Sequence, residues 1–227
     1  MSSLATENGG PSTKSDYAYT KVREAILGGQ LEPGSTLNQA ELAKQIGIST
    51  TPLREALRRL NVEGLVQLDA HRDAHVADLS AEEARDLLDV RRSIDPHAAA
   101  LAAERRTKAD IATIRAAHDG LEPLGVNTTI SHLAKHRSFH AAIYRSSHND
   151  LLIRILDELW DKADRYRLLA LQVDSGDAGR EQKRREHQEL MDSVVAGDAD
   201  QAFTIMLAHI ETSLGVQAAW RLRQPTR

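Results

Sequence analysis

Apolar positions recur every three to four residues through most of the chain, and this helical period breaks at only a few places. Val22, Ala25, Ile26 and Leu27 predict a first helix from Tyr17 to Gly28. Gln30-Leu-Glu-Pro-Gly-Ser follows as a turn, with Pro33 and Gly34 as breakers. Asn38 stands where it can cap a short helix over 39–45. Gly47 allows a tight turn, and Ser49 or Thr50 can cap the next helix. Pro52 suits the first turn of that helix, where a missing N–H does no harm. The helix runs to about Glu63 with Leu53, Ala56, Leu57 and Leu60 inward, and Gly64 ends it. From Leu65 to Asp78 the pattern changes: Val66, Leu68 and His75-Val76-Ala77 among polar residues predict a short hairpin. Helix, helix-turn-helix and hairpin together make a winged helix-turn-helix.

Ser80-Ala-Glu-Glu83 reads as a capping box opening a new helix. Beyond it the period stays helical, predicting segments at about 80–105, 107–122, 128–147, 149–173, 178–196 and 198–221. Breaks fall at Thr107, Pro123-Leu-Gly125, Asn149, Ser175-Gly176 and Gly197-Asp198. The expected fold is mainly α: an N-terminal winged helix-turn-helix over 16–79, then a C-terminal all-α helical bundle over 80–221. Residues 1–15 lack the apolar core of a secretory signal and read as a disordered tail, and 222–227 as a second tail.

Composition supports helices, because aromatics are only 4% of 227 residues and the core must come from Leu, Ile, Val and Ala. There is no cysteine, which excludes disulfides, thiolate metal sites and cysteine nucleophiles and fits a reducing, cytoplasmic setting. The longest apolar run, Ala98 to Ala103, is too short to span a membrane. Net charge is −4, and residues 1–79 carry 8 Lys and Arg against 10 Asp and Glu. Any contact with nucleic acid must therefore rest on a local cluster.

Such a cluster exists. Thr50, Thr51, Arg54 and Arg58 fall on the face opposite the leucines of the third helix, the face that would enter a major groove. Arginine can fork onto guanine or grip phosphate, and threonine hydroxyls reach phosphate or a base edge. Arg72, in the hairpin, is placed to reach an adjacent phosphate or the minor groove. A solvated helix with surface arginines fits the same periodicity.

Four histidines in the second half carry the other candidate chemistry. His136 and His140 are four residues apart, so on a helix both imidazoles lie on one face. His187 and His209 fall in two later helical patterns, each within an apolar run. A single histidine on an apolar face is usually a core residue with its bonds satisfied. Several converging from different helices would make a ligand cage for zinc, nickel, copper or iron.

Ala25-Ile-Leu-Gly-Gly-Gln-Leu-Glu-Pro-Gly-Ser, Glu41-Leu-Ala, Gly47-Ile-Ser, Thr51-Pro-Leu-Arg-Glu-Ala-Leu-Arg-Arg-Leu and Glu63-Gly-Leu-Val closely resemble the DNA-binding domain of the GntR family. The likeness covers about 17–79. Two positions depart: Thr50 stands where the family usually has arginine, and Asp73 where its wing usually has glycine.

The second half, over about 80–221, resembles the FadR-like branch of that family, whose all-helical (FCD) effector domain often binds a metal. The branch's Arg-x-x-hydrophobic-Glu is similar to Arg91-Arg-Ser-Ile-Asp95, and its Asp-x-x-Phe-His to His136-Arg-Ser-Phe-His140. Its later histidines correspond to His187 in Glu186-His-Gln-Glu-Leu and His209 in Met206-Leu-Ala-His-Ile, and a common asparagine to Asn149. His136 replaces the usual aspartate. An all-nitrogen set would favour zinc, nickel or copper over hard cations; alternatively only the other three bind, as an open site with water. The resemblance assigns Arg91 and Asn149 to a carboxylate effector. An ion pair of Arg91 with Asp95, and a helix cap at Asn149, explain those residues as well. His132 reads as a surface or outlying residue, and His97, His118 and His148 as structural.

The resemblance implies a homodimeric transcription regulator, a repressor, that reads an inverted-repeat operator in double-stranded DNA. It would hold one transition-metal ion per chain, zinc or nickel, and answer to a small carboxylate. A direct metal sensor is the alternative. A metal-dependent hydrolase is a further one, without an obvious general base and with the first half left unexplained.

Overall fold

The computed structural model describes residues 13–69, 74–122, 124–125, 128–171, 176–213, 216, 218–219 and 222. The chain divides into two compact units, Met1–Asp78 and Leu79–Arg227.

In the first unit, α1 (Lys14–Leu27) begins earlier than the apolar pattern places it. Thr13 and Asp16 form a reciprocal capping box, so the polar turn before Tyr17 is already helical. Residues 14 and 15 thus belong to the helix, with Thr13 as its cap, and the remainder of the expected tail, 1–12, lies outside the described residues. Then come α2 (Gln39–Ile46) and α3 (Thr50–Val62). Asn38 caps α2, accepting from the N–H groups of Ala40 and Glu41. Gly47 sits at φ +78°, the left-handed turn between the two helices. Ser49 holds the N-cap position of α3 without a side-chain capping bond.

The wing is a three-stranded antiparallel sheet in the order β1 (Thr36–Leu37), β3 (Ala74–Val76), β2 (Val66–Leu68). The hairpin was legible; β1 was not, because two residues carry no period. Arg72 and Asp73 lie outside the described residues. Ala18, Val22 and Ile26 of α1 meet Leu53, Leu57 and Leu60 of α3 in the core, closed by Val66 and Val76 of the sheet.

The second unit contains, among the described residues, α4 (Ala81–Arg105), α5 (Lys108–Asp119), α6 (Ile130–Arg145), α7 (Asp150–Leu171), α8 (Gly176–Ala196) and α9 (Ala199–Glu211). The long α4 packs against α6, α7, α8 and α9. Its small face of Ala99, Ala102 and Ala103 shares a core with Phe139, Leu190, Val194, Met206 and Ile210. Ser80 caps α4 through the N–H groups of Glu82 and Glu83. The return half of the expected box is not made: the Ser80 N–H donates instead to the Tyr166 hydroxyl, which itself donates to Glu83. α9 stops at Glu211, with Thr212 as its C-cap; in the remaining stretch to the expected 221, residues 216, 218 and 219 are again helical. No helix among the described residues is long and apolar enough to cross a membrane.

Candidate functional site

In the first unit, Leu53, Ala56, Leu57 and Leu60 bury one face of α3, and the opposite face carries Thr50, Thr51, Arg54 and Arg58, all exposed. The Arg54 Nε donates to Gln39 of α2 at 3.1 Å, which holds the guanidinium at the start of the helix. The neighbouring Arg59 is used internally. It pairs with Asp16 at 2.7 Å and lies over the Tyr19 ring at 4.1 Å.

In the second unit, helical packing brings the four histidines together. His136 and His140 project from one face of α6, His187 from α8 and His209 from α9. All four are no more than 6% exposed. One ligand nitrogen from each lies within 4.8 Å of the others. His140 Nε2 and His187 Nε2 are 3.3 Å apart. A tetrahedron of nitrogens about 2.0–2.1 Å from zinc has edges of about 3.3 Å, so the pair already stands at coordination spacing.

The electrostatics suit a cation as well. Burial holds His136, His140 and His187 well below the usual histidine range. Neutral imidazole is the form that donates a lone pair. Burial lowers His209 too, opposed by Glu186. The Glu186 carboxylate accepts from His209 Nδ1 at 2.9 Å, which leaves Nε2 as the donor toward the cluster. Burial alone would raise the Glu186 carboxyl; bonds from His209 and Lys183 outweigh it and bring the group to about 2. His136 and His140 each bury an Nδ1 with no hydrogen-bond partner. The donor set therefore fits a borderline ion of the zinc or nickel class.

A cavity of about 540 Å³ opens onto this cluster. His136, His187 and His209 line it, together with Arg167, Lys183 and the apolar Leu121 and Leu124. Arg167, on α7, is buried against the Trp160 ring at 3.9 Å and pairs with Asp164 at 3.2 Å. Burial lowers its guanidinium to about 9 against the opposing pull of Asp164.

Two expected effector residues lie elsewhere. Arg91 is not among the residues lining that cavity. It donates to Asp95 Oδ2 through Nε at 3.1 Å and a terminal nitrogen at 2.6 Å, and lies 4.5 Å from the centre of the Trp160 ring. Asn149 caps α7, accepting from the Leu152 N–H. His132 pairs with Glu122 at the surface, and His148 with Asp110. His97 packs edge-on against Phe203, and His118 does the same to Phe139 while also lining the cavity.

Sequence reading missed Arg167 and Glu186. Leu156, Trp160, Ala163 and Arg167 form one buried stripe of α7 at spacings of four, three and four. A charged residue in an apolar register was the available signal. Glu186, beside His187, carried none beyond that adjacency.

Residues 14–76 match the family described as bacterial regulatory proteins, gntR family, and residues 86–212 match the FCD domain. The HTH-type transcriptional regulator LutR of Bacillus subtilis (strain 168) is 30% identical over 207 residues, covering 82% of this chain and 92% of that protein. The HTH-type transcriptional repressor GlaR of Escherichia coli (strain K12) is 27% identical over 208 residues, covering 87% and 93%. Among solved structures, E. coli McbR/YncC shares the fold, with a TM-score of 0.76 at 22% identity over 93% of this chain and 99% of that one.

Proposed function

Because the chain belongs to the GntR family of bacterial regulatory proteins and carries an FCD domain, we propose that its operator affinity is set by a small carboxylate held at a metal ion in the four-histidine cluster. The family and these relatives are DNA-binding transcription regulators rather than enzymes. The reading of the site rests on one observation: four buried histidines from three helices meet, and three of them line one cavity together with Arg167.

His136, His140, His187 and His209 would hold the ion, one per chain. When bound, the ion supplies a Lewis-acid contact for one carboxylate oxygen. Arg167 offers planar N–H donors to the same anion, and its low-dielectric surroundings strengthen that contact. Arg91 adds positive charge to the region, as its effect on His136 reflects. Leu121 and Leu124 accept an apolar body. Thr50, Thr51, Arg54 and Arg58 are assigned to DNA, and so is Arg72, which lies outside the described residues. A homodimer would read an inverted repeat, and the ligand acts only if it binds competent and incompetent arrangements differently. Repression is the reading that GlaR's name supports.

The test is a thermal-shift panel of small carboxylic acids on zinc-loaded protein, followed by operator binding with each stabilising acid. The expected result is an acid that stabilises the protein only with metal present and weakens operator binding. Stabilisation by zinc with no acid effect would overturn the carboxylate reading. It would favour a second one, a direct metal sensor, which a set of four nitrogens supports because it closes a tetrahedral site.

A further inference from the structure

His140 reaches the cluster through Nε2, which stands 3.3 Å from His187 Nε2. Its other ring nitrogen, Nδ1, is buried without a partner. One acidic oxygen is in the same condition. Asp95 of α4 is 4% exposed and accepts both Arg91 bonds at Oδ2, which leaves Oδ1 buried and unpartnered. An unpaired buried donor or acceptor costs about 1–3 kcal/mol, so two in one place call for an explanation.

The two residues wall the same small void, of about 10 Å³. That is room for one water, and a buried water needs two to four polar partners. Apart from Tyr144, whose hydroxyl donates to Asp157, the rest of the wall is apolar: Ala98, Ile143, Leu156, Trp160 and Met206 among it. The void is thus lined by one residue with an unpartnered acceptor and one with an unpartnered ring nitrogen, and it has room for one molecule.

We propose that a single buried water bridges the Asp95 carboxylate to Nδ1 of His140, and so decides which nitrogen of that ring is offered to the metal. The ring N–H donates to the water oxygen, and one water hydrogen goes to Asp95 Oδ1. His140 is thereby kept as the tautomer protonated on Nδ1, with its lone pair on Nε2. Arg91 holds the carboxylate in place from the other side. Asp95 is a positioning residue: it touches no metal and acts through His140. Glu186 does the same for His209 by direct contact, so two of the four imidazoles are oriented by acids.

This inference rests on the metal reading above, and the experiment separates the two. Full-length protein is loaded with zinc, and long-range proton–nitrogen correlations of its histidines are recorded together with magnetisation transfer from bound water. The expected spectrum shows His140 protonated on Nδ1, bare at Nε2, with transfer between that proton and a long-lived water. Coordination through His140 Nδ1, or an Nδ1 proton with no water contact, overturns the proposal while leaving the metal site intact. Failure of zinc to bind at all overturns the metal reading itself. Asp95→Asn supplies the energetic arm, with Asp95→Glu as the conservative rescue. Zinc affinity of the Asn variant should fall about tenfold or more, the range of such outlying partners. The same substitution in a His140→Ala background should cause no further loss, since the effect passes through that ring. A merely structural role would give equal losses in both backgrounds and overturn the proposal.

Discussion

Metal-free protein should lose stability steeply as pH falls below the ordinary histidine range. Burial holds His136, His140 and His187 well below their usual 6.5 in the folded chain, whereas the unfolded chain protonates them near 6.5. Below that pH the unfolded state binds more protons, so the contribution is fully present above 6.5 and is lost as pH drops. Each histidine kept neutral costs about 1 kcal/mol between about pH 6.5 and 5.5, where the unfolded ring goes from half to nearly fully protonated, and about 1.4 kcal/mol for each unit below; three cost about 3 kcal/mol across the first unit. That is a large part of the 5–15 kcal/mol typical of a folded domain. His209 adds less, because its bond to Glu186 opposes burial. Glu186 itself titrates between its usual 4.5 and about 2, below this window. The assay is urea unfolding of chelator-treated protein at several pH values, read by circular dichroism and tryptophan fluorescence. The midpoint should fall with an unchanged slope against urea, and His140→Leu should remove about 1 kcal/mol of the loss across that unit. A total loss below about 1 kcal/mol across that unit would mean that not even one ring is held neutral, and would refute the desolvated cluster.

The remaining expectations concern content, selectivity, ligand and DNA. His187→Ala and His209→Ala should each lose most of the bound metal by elemental analysis, and chelation should lower the melting temperature of the wild type by mass action. His136→Asp should still bind an ion but shift preference toward harder cations such as manganese, measured by competition between metals; an unchanged order would remove His136 from the ligand set. Arg167→Met should weaken the stabilising acid by about 10–100-fold, the worth of a charge-assisted hydrogen bond, while keeping the metal. Arg54→Ala should cost about 1–3 kcal/mol of operator binding in a mobility-shift titration without changing the helical circular dichroism spectrum.

What the chain declares by itself is whatever depends on neighbours one helical turn away. The leucine stripe of α3, the cap at Asn38, the turn at Gly47 and the helical run from Ser80 onward are all set within a few residues. His136 and His140 belong here too, since a spacing of four puts both rings on one face. Whatever depends on which segment lies alongside waited for the tertiary structure. Two-residue β1 is a strand only because β3 pairs with it. Glu83 reads as the partner of Ser80 until Tyr166, 83 residues on, takes its carboxylate. Arg167, which the sequence reading missed, gains its place only when packing of α7 sets it against Trp160 and the cavity. The meeting of His140 with His187 and His209, across separations of 47 and 69 residues, is of the same kind. Helical period fixes the direction of a side chain relative to its own axis; only the packing of one helix face on another decides what it meets there.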